Sequence, residues 1–273
     1  MTTTYSELRS WYPRAVRLRN TLSLLKRPLV FARSLCRSFK HRSGWIRFLF
    51  YHHVFDDEMQ GFARQLDYLK KQGSFVSFDD AVSLLCSGSA VEGRHFCLSF
   101  DDGLHNCITN ALPILAEKGI PCTFFVVADF IGVGLVEPRD AFGYPAPLRF
   151  LTWDDCRHLA QAGMVIGSHG LSHSTLAELT SEEAAREMRV SKQRIELELA
   201  RPCYHFCAPR GKAGRHFLTE RDPAIAQKLG YRSFSTTEPG MMQRGGSPYF
   251  LRRTNILAGW GDYEVRYYLL CDD

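Results

Sequence analysis

From Trp45 onward, short apolar runs alternate with amphipathic segments, and this alternation limits the fold more than any other feature of the chain. IRFLFYHHV, FVSF, HFCLSF, PCTFFVV, MVIGS, YHFCAP, YRSFST and YFLRRTNIL read as strands. GFARQLDYLKKQG, DDAVSLLCSG, HNCITNALPILAEKG, TWDDCRHLAQAG, SEEAAREMRVSKQRIELELA and DPAIAQKLG carry helical spacing, and DYEVRYYLL reads as a terminal helix. Asp79 or Asp80, Thr152 and Asp222 are candidate N-caps, the last followed by Pro223 at a first helical position. Near-continuous apolar runs separated by helices belong to parallel strands covered on both faces. About seven such units predict an α/β fold closed into a barrel or barrel-like sheet, with an open doubly wound sheet as the alternative. Gly134 to Pro147, with three prolines, is the longest irregular insertion.

Charge divides the chain unevenly. Residues 1–47 hold eleven Lys and Arg against Glu7, whereas the remainder holds 23 against 28 acids. We expect a basic helical arm over residues 1–45 and one catalytic domain over residues 46–273. Such an arm suits an anionic membrane surface or a lipid-linked sugar. Nucleic acid is not expected, because no stacking aromatics alternate with the basic residues. The first thirty residues lack the apolar core and cleavage site of an export signal, and no run of eighteen apolar residues occurs. Nine cysteines without regular spacing read as reduced thiols. The expected setting is the cytoplasm, with peripheral contact at the inner membrane surface.

In βα folds the chemistry lies in the loops that follow the strands. Three of those loops are unusual: Asp101-Asp102-Gly103 after HFCLSF, HGLSH (His169 to His173) after MVIGS, and APRG (Ala208 to Gly211) after YHFC. Adjacent carboxylates repel unless a cation or proton lies between them. Asp102, His169 and His173 offer one carboxylate and two imidazoles, a set that suits zinc, or Co2+, Ni2+ or Mn2+, with a position left for water. The spacing of the two histidines places both on one face of a helical turn. Asp101 is then free to act as a general base.

At these residues the chain resembles the polysaccharide deacetylases, the NodB-homology group or carbohydrate esterase family 4. SFDDG (Ser99 to Gly103) corresponds to its first motif and HGLSHS (His169 to Ser174) to its second. LFYHHV, PILAEKGIPCTFFV and LTWDDCRHLAQAGMVIGSH extend the likeness over roughly residues 46–257. The resemblance implies a distorted (β/α)7 barrel and metal-dependent hydrolysis of N-acetyl or O-acetyl groups on a sugar, polysaccharide or glycan precursor. It makes Asp101 the base and Asp102, His169 and His173 the metal ligands.

The third motif, R-x-P-[YF], falls on Cys207-Ala208-Pro209-Arg210, so its arginine is replaced by Cys207. Arg253 resembles the arginine of a branch without that motif, and its expected task is to pair with Asp101. The Arg210 backbone N–H is the candidate oxyanion donor. The histidine of the fifth motif, the leaving-group acid, has no counterpart after His216. His52, at the end of the first strand, is the candidate substitute, with His53 and His105 behind it. A sugar-binding member without turnover, or a hydrolase of another amide such as a formyl group, stands as the alternative.

Overall fold

The computed structural model describes residues 30–32, 44–136 and 147–271, so all but a few residues of the basic arm lie outside the described residues. The chain forms β1 (Trp45–Tyr51), α1 (Met59–Lys70), β2 (Ser74–Phe75), α2 (Phe78–Cys86) and β3 (Arg94–Phe100). A π-helical turn, Cys107–Ala111, leads into α3 (Leu112–Lys118), followed by β4 (Cys122–Val126) and a short antiparallel pair, β5 (Leu135–Val136) with β6 (Leu148–Arg149). Then come α4 (Trp153–Gln161), β7 (Val165–Ser168), α5 (Ser181–Leu199), β8 (His205–Cys207), α6 (Asp222–Lys228), β9 (Ser233–Ser235), β10 (Arg253–Asn255) and α7 (Asp262–Cys271).

Seven parallel strands form a nearly closed barrel in the order β10-β1-β3-β4-β7-β8-β9, with β2 paired to the start of β3. Closure is completed by Leu251, just ahead of β10. Its N–H donates to the Phe234 carbonyl and its carbonyl accepts from the Thr236 N–H, both at 2.9 Å.

Period-two alternation sorts the strand residues between two cores. Trp45, Leu49 and Tyr51 of β1, with Phe96, Leu98 and Phe100 of β3, face the helices. Ile46 and Phe48 of β1, with Cys97 of β3 and Phe125 of β4, belong to the inner cluster. Full burial of each such Leu or Phe contributes about 1.5–3 kcal/mol. Space inside is limiting: a Cβ on Gly167 would meet the Phe125 ring at 2.6 Å. α2 sends Phe78, Ala81, Val82 and Leu85 into the inner cluster and so covers the N-terminal opening. The C-terminal opening is left for the loops that carry the candidate site.

Three local expectations need correction. α2 is capped by Ser77, whose Oγ accepts the Asp80 N–H, and not by Asp79 or Asp80, which lie in its first turn. Asp222 is likewise inside the first turn of α6, where its carboxylate accepts the Leu218 N–H at 2.7 Å. Thr152, by contrast, caps α4 as expected, in a reciprocal arrangement with Asp155. The segment expected as one helix from His105 to Gly119 begins as the π-turn.

Candidate active site

β3 ends at Phe100, so the next residue, Asp101, sits on the inner face above Ser99 and Cys97. Its N–H continues the ladder to the Tyr51 carbonyl at 2.9 Å. Arg253 enters from β10 across β1, opposite Phe48. Its Nη1 and Nη2 donate to the two Asp101 oxygens, both at 2.8 Å. Nη1 also reaches Ser99 Oγ at 3.1 Å, Nε donates to the Thr236 carbonyl at 3.0 Å, and Nη2 lies 2.8 Å from Cys207 Sγ. The guanidinium lies over Phe50, with 4.4 Å to the ring centre, and Phe125 is at 5.5 Å. A fully buried arginine is tolerable only with this full set of partners.

The second aspartate turns away from the first. Asp102 has φ +72°, a left-handed conformation, and its side chain meets the loop after β7. Asp102 Oδ1 lies 3.3 Å from His169 Nε2 and 3.5 Å from His173 Nε2, and all three residues are buried. His169 Nδ1 donates to the Cys207 carbonyl at 2.9 Å, which leaves Nε2 as the atom that faces Asp102.

The two histidines do not share a helical turn, contrary to the expectation from their spacing. Residues 169–173 form an irregular loop in which Gly170 (φ +83°) and His173 (φ +64°) are both left-handed. Glu187 of α5 holds that loop. Its Oε2 accepts the N–H groups of Leu171 and Ser172 at 2.9 and 3.0 Å, and its Oε1 accepts Ser172 Oγ at 2.8 Å. The sequence reading missed this residue. The available signal was a glutamate on the buried stripe of α5, between Ala184 and Ser191.

Electrostatics keeps both carboxylates charged. Burial acts to raise the Asp101 pKa, and the adjacent Arg253 overcomes it, so the group ends below its ordinary value. For Asp102 burial is again the largest influence, and the His169 hydrogen bond with the charges of His173 and His52 outweighs it. Burial pushes the Cys207 thiol up, against the pull of Arg253, so it stays protonated beside them.

The remaining candidates stand at different distances from this centre. His52, one residue past β1, feels the charges of Asp102, Asp101 and His169; the protein packed around it lowers its pKa. His53 instead approaches Glu58 Oε2, at 3.6 Å, and packs on Phe55. Burial lowers the His105 pKa, and the charges that act on it are those of Arg149 and Asp155, not those of the triad. Arg210 lies three residues beyond the carbonyl that orients His169. It has φ +61° in a tight turn closed by the Gly211 N–H and the Pro209 carbonyl at 2.7 Å. The structure therefore joins Asp101 to Arg253 and Asp102 to His169 and His173 by direct contact. It sets His52 and Arg210 at the edge.

Comparison with known proteins agrees with this architecture. A family profile described as polysaccharide deacetylase matches residues 88–234, just over half the chain. YxkH of Bacillus subtilis (strain 168), named within the polysaccharide deacetylases, is 28% identical over 162 residues, covering 59% of this chain and 51% of its own. A chitooligosaccharide deacetylase of Rhizobium leguminosarum bv. trifolii is 29% identical over 123 residues, covering 45% of each. The matches thus span about half the length of these curated relatives. IcaB from Ammonifex degensii superposes with a TM-score of 0.70 at 22% identity, covering 82% of this chain and 96% of IcaB. The Streptococcus pyogenes deacetylase PplD, solved in complex with acetate, gives 0.69 at 21%, covering 83% and 99%. At that identity the superpositions speak for the fold.

Proposed function

The chain belongs to the polysaccharide deacetylase family, and on that premise we propose that it is a metal-dependent carbohydrate deacetylase, releasing acetate from an N-acetyl or O-acetyl group of a sugar or glycan. One observation carries the reading: three buried ligand atoms converge beside a carboxylate locked in place by an arginine. A tetrahedral site with bonds of about 2.0–2.1 Å has ligand-to-ligand edges of about 3.3–3.4 Å. The distances from Asp102 Oδ1 to the two imidazole nitrogens, 3.3 and 3.5 Å, match that edge. Asp102, His169 and His173 therefore fit a divalent cation, zinc foremost. When bound there it supplies Lewis-acid polarisation of the acetyl carbonyl and lowers the pKa of a water.

The chain's own residues supply the proton movements. Asp101 accepts the proton of the attacking water as its oxygen bonds to the acetyl carbon. Arg253 engages both Asp101 oxygens, and the Cys207 thiol also donates to Oδ2 at 3.7 Å, so Oδ1 is the oxygen that keeps a lone pair for the water proton. Arg253 fixes the direction of the base and keeps it ionised. The same contact weakens its basicity, so base and cation are needed together. The Arg210 N–H is the candidate donor to the carbonyl oxygen as it becomes an oxyanion. His52 is the proton donor to the leaving nitrogen or oxygen as the acyl bond breaks, giving acetate and a free amine or hydroxyl. Burial lowers its pKa, so the imidazolium is a strong donor once formed, and the charges of Asp102 and Asp101 favour its formation.

Acetate release from a panel of acetylated sugars, with metal content measured in parallel, tests the assignment. Asp101→Asn should keep its metal and lose about a hundredfold or more in rate. Undiminished release from that variant would overturn the proposal. Wild-type protein that holds one metal ion and releases no acetate from any sugar would favour the sugar-binding alternative.

A further inference from the structure

Beside the triad lies a pocket of about 190 Å3 that the proposed chemistry does not use. Its inner wall is Leu104, two residues beyond Asp102, so the two Cα atoms are at most about 7 Å apart. Phe55 and Asp56, which follow His52 and His53, form the second side, and Leu148 and Arg149 of β6 form the third. Its lining residues follow β1, β3 and β4, so the pocket lies at the same end of the barrel as the triad.

Two of its lining groups, Arg149 and His105, are cationic or proton-donating, and among the described residues neither side chain has a hydrogen bond or ion pair. Arg149 is exposed, and among the described residues no carboxylate or carbonyl engages its guanidinium. The His105 imidazole has no hydrogen bond there either. It is close enough to Arg149 that, after burial, the guanidinium is the main influence lowering its pKa. The two are held side by side because the His105 N–H donates to the Arg149 carbonyl at 2.8 Å and Leu104 bridges to Phe150. Across the pocket Asp56 is already engaged, its Oδ1 accepting from Asn110 Nδ2 at 2.8 Å. That wall offers an acceptor for a sugar hydroxyl. An anion entering between them would offset the charge of the guanidinium and favour protonation of the imidazole.

We propose that this pocket is a specificity subsite for an oxyanion substituent next to the acetylated ring, either a phosphate of a glycosyl phosphate or the carboxylate of a uronic acid, bound by Arg149 and His105. The substrate class proposed rests on the deacetylase reading above. The apolar walls, Phe55, Leu104 and Leu148, pack on ring carbons and lower the local dielectric around the pair. The same opening would then take a charged glycan in preference to a neutral one.

Affinity by isothermal titration, on the full zinc-loaded chain, tests this without requiring turnover. The probes are N-acetylglucosamine 1-phosphate, a disaccharide of N-acetylglucosamine with glucuronic acid, and the neutral methyl glycoside of N-acetylglucosamine. At least one anionic probe should bind about ten-fold tighter than the neutral one, the scale of a charge-assisted hydrogen bond. Which arm shows the advantage identifies the anion. In Arg149→Gln the advantage should fall below about two-fold, and in Arg149→Glu it should disappear. Equal affinity for all three probes, or an advantage retained in Arg149→Glu, overturns the subsite. Acetate release on the same samples separates the two readings: anion preference without any release sinks the deacetylase assignment and leaves the subsite standing.

Discussion

The two ends of the barrel hold similar residue types and contrast in what they can do. At the N-terminal end, Asp79 Oδ1 lies 3.3 Å from His205 Nε2, and His205 Nδ1 is 2.9 Å from Ser233 Oγ. Ser, His and Asp in a row are the components of a nucleophilic relay. Yet Ser233 and His205 are completely buried. Phe78 of the covering helix packs on the imidazole at 5.0 Å. Asp79 is spent on His205 and Arg232, whose close approach, at 3.3 Å each, lowers its pKa. At the C-terminal end, Asp101 and Asp102 also have partners, but left-handed residues turn the ligand atoms toward one point near the opening. Residue type is shared by both ends. Bonding capacity directed at a reachable space belongs to one.

The variant that would most sharply break this contrast is Arg253→Met. It leaves Asp101 buried without a counter-charge and should cost about 3–5 kcal/mol of stability at neutral pH. The sign with pH follows from linkage. The folded-state pKa of Asp101 lies below its ordinary value, so the wild-type contribution is complete above about pH 4 and fades as pH falls through the folded value. The gap between Arg253→Met and wild type should therefore be widest near pH 7 and narrow in acid, as read by urea unfolding. A gap that widens on acidification would contradict the pairing.

His52→Ala addresses the open end by a second route. A general acid matters for a poor leaving group, so hydrolysis of an N-acetyl sugar should fall about 10²–10⁴-fold, and that of an activated aryl acetate far less. Equal losses on both substrates would place His52 among the structural groups. The smallest effect is expected at the closed end. Ser233→Ala removes one buried hydrogen bond and should lower stability by about 1 kcal/mol, with acetate release unaltered. Lost turnover at full stability would mean that the closed end is not inert.

Legibility in the sequence followed the range of the interactions. The strands were visible because burial on two faces demands apolar runs, and the SFDDG and HGLSHS segments stood out because charge at a strand end is costly without a purpose. The histidine spacing misled at short range. Four residues fit a helical turn, whereas Gly170, left-handed at φ +83°, and the Glu187 carboxylate bend the segment into a loop. α2 misled similarly, since Ser77 and Asp80 both suit a helix start and only the backbone direction selects Ser77. Glu187, 14 residues from His173, and the Arg149 with His105 pairing carried no local mark.

Read alone, the chain settles its alternation of strand and helix, its parallel sheet and the kinds of group available for chemistry, because these depend on hydrophobic period and residue type over a few positions. Which groups meet was set by closure of the barrel. Arg253 reaches Asp101 across 152 residues only because β10 pairs with β1 and β1 with β3. The same closure buries the relay at one end and opens the triad at the other, since a parallel barrel directs every strand, and hence every following loop, toward the same side.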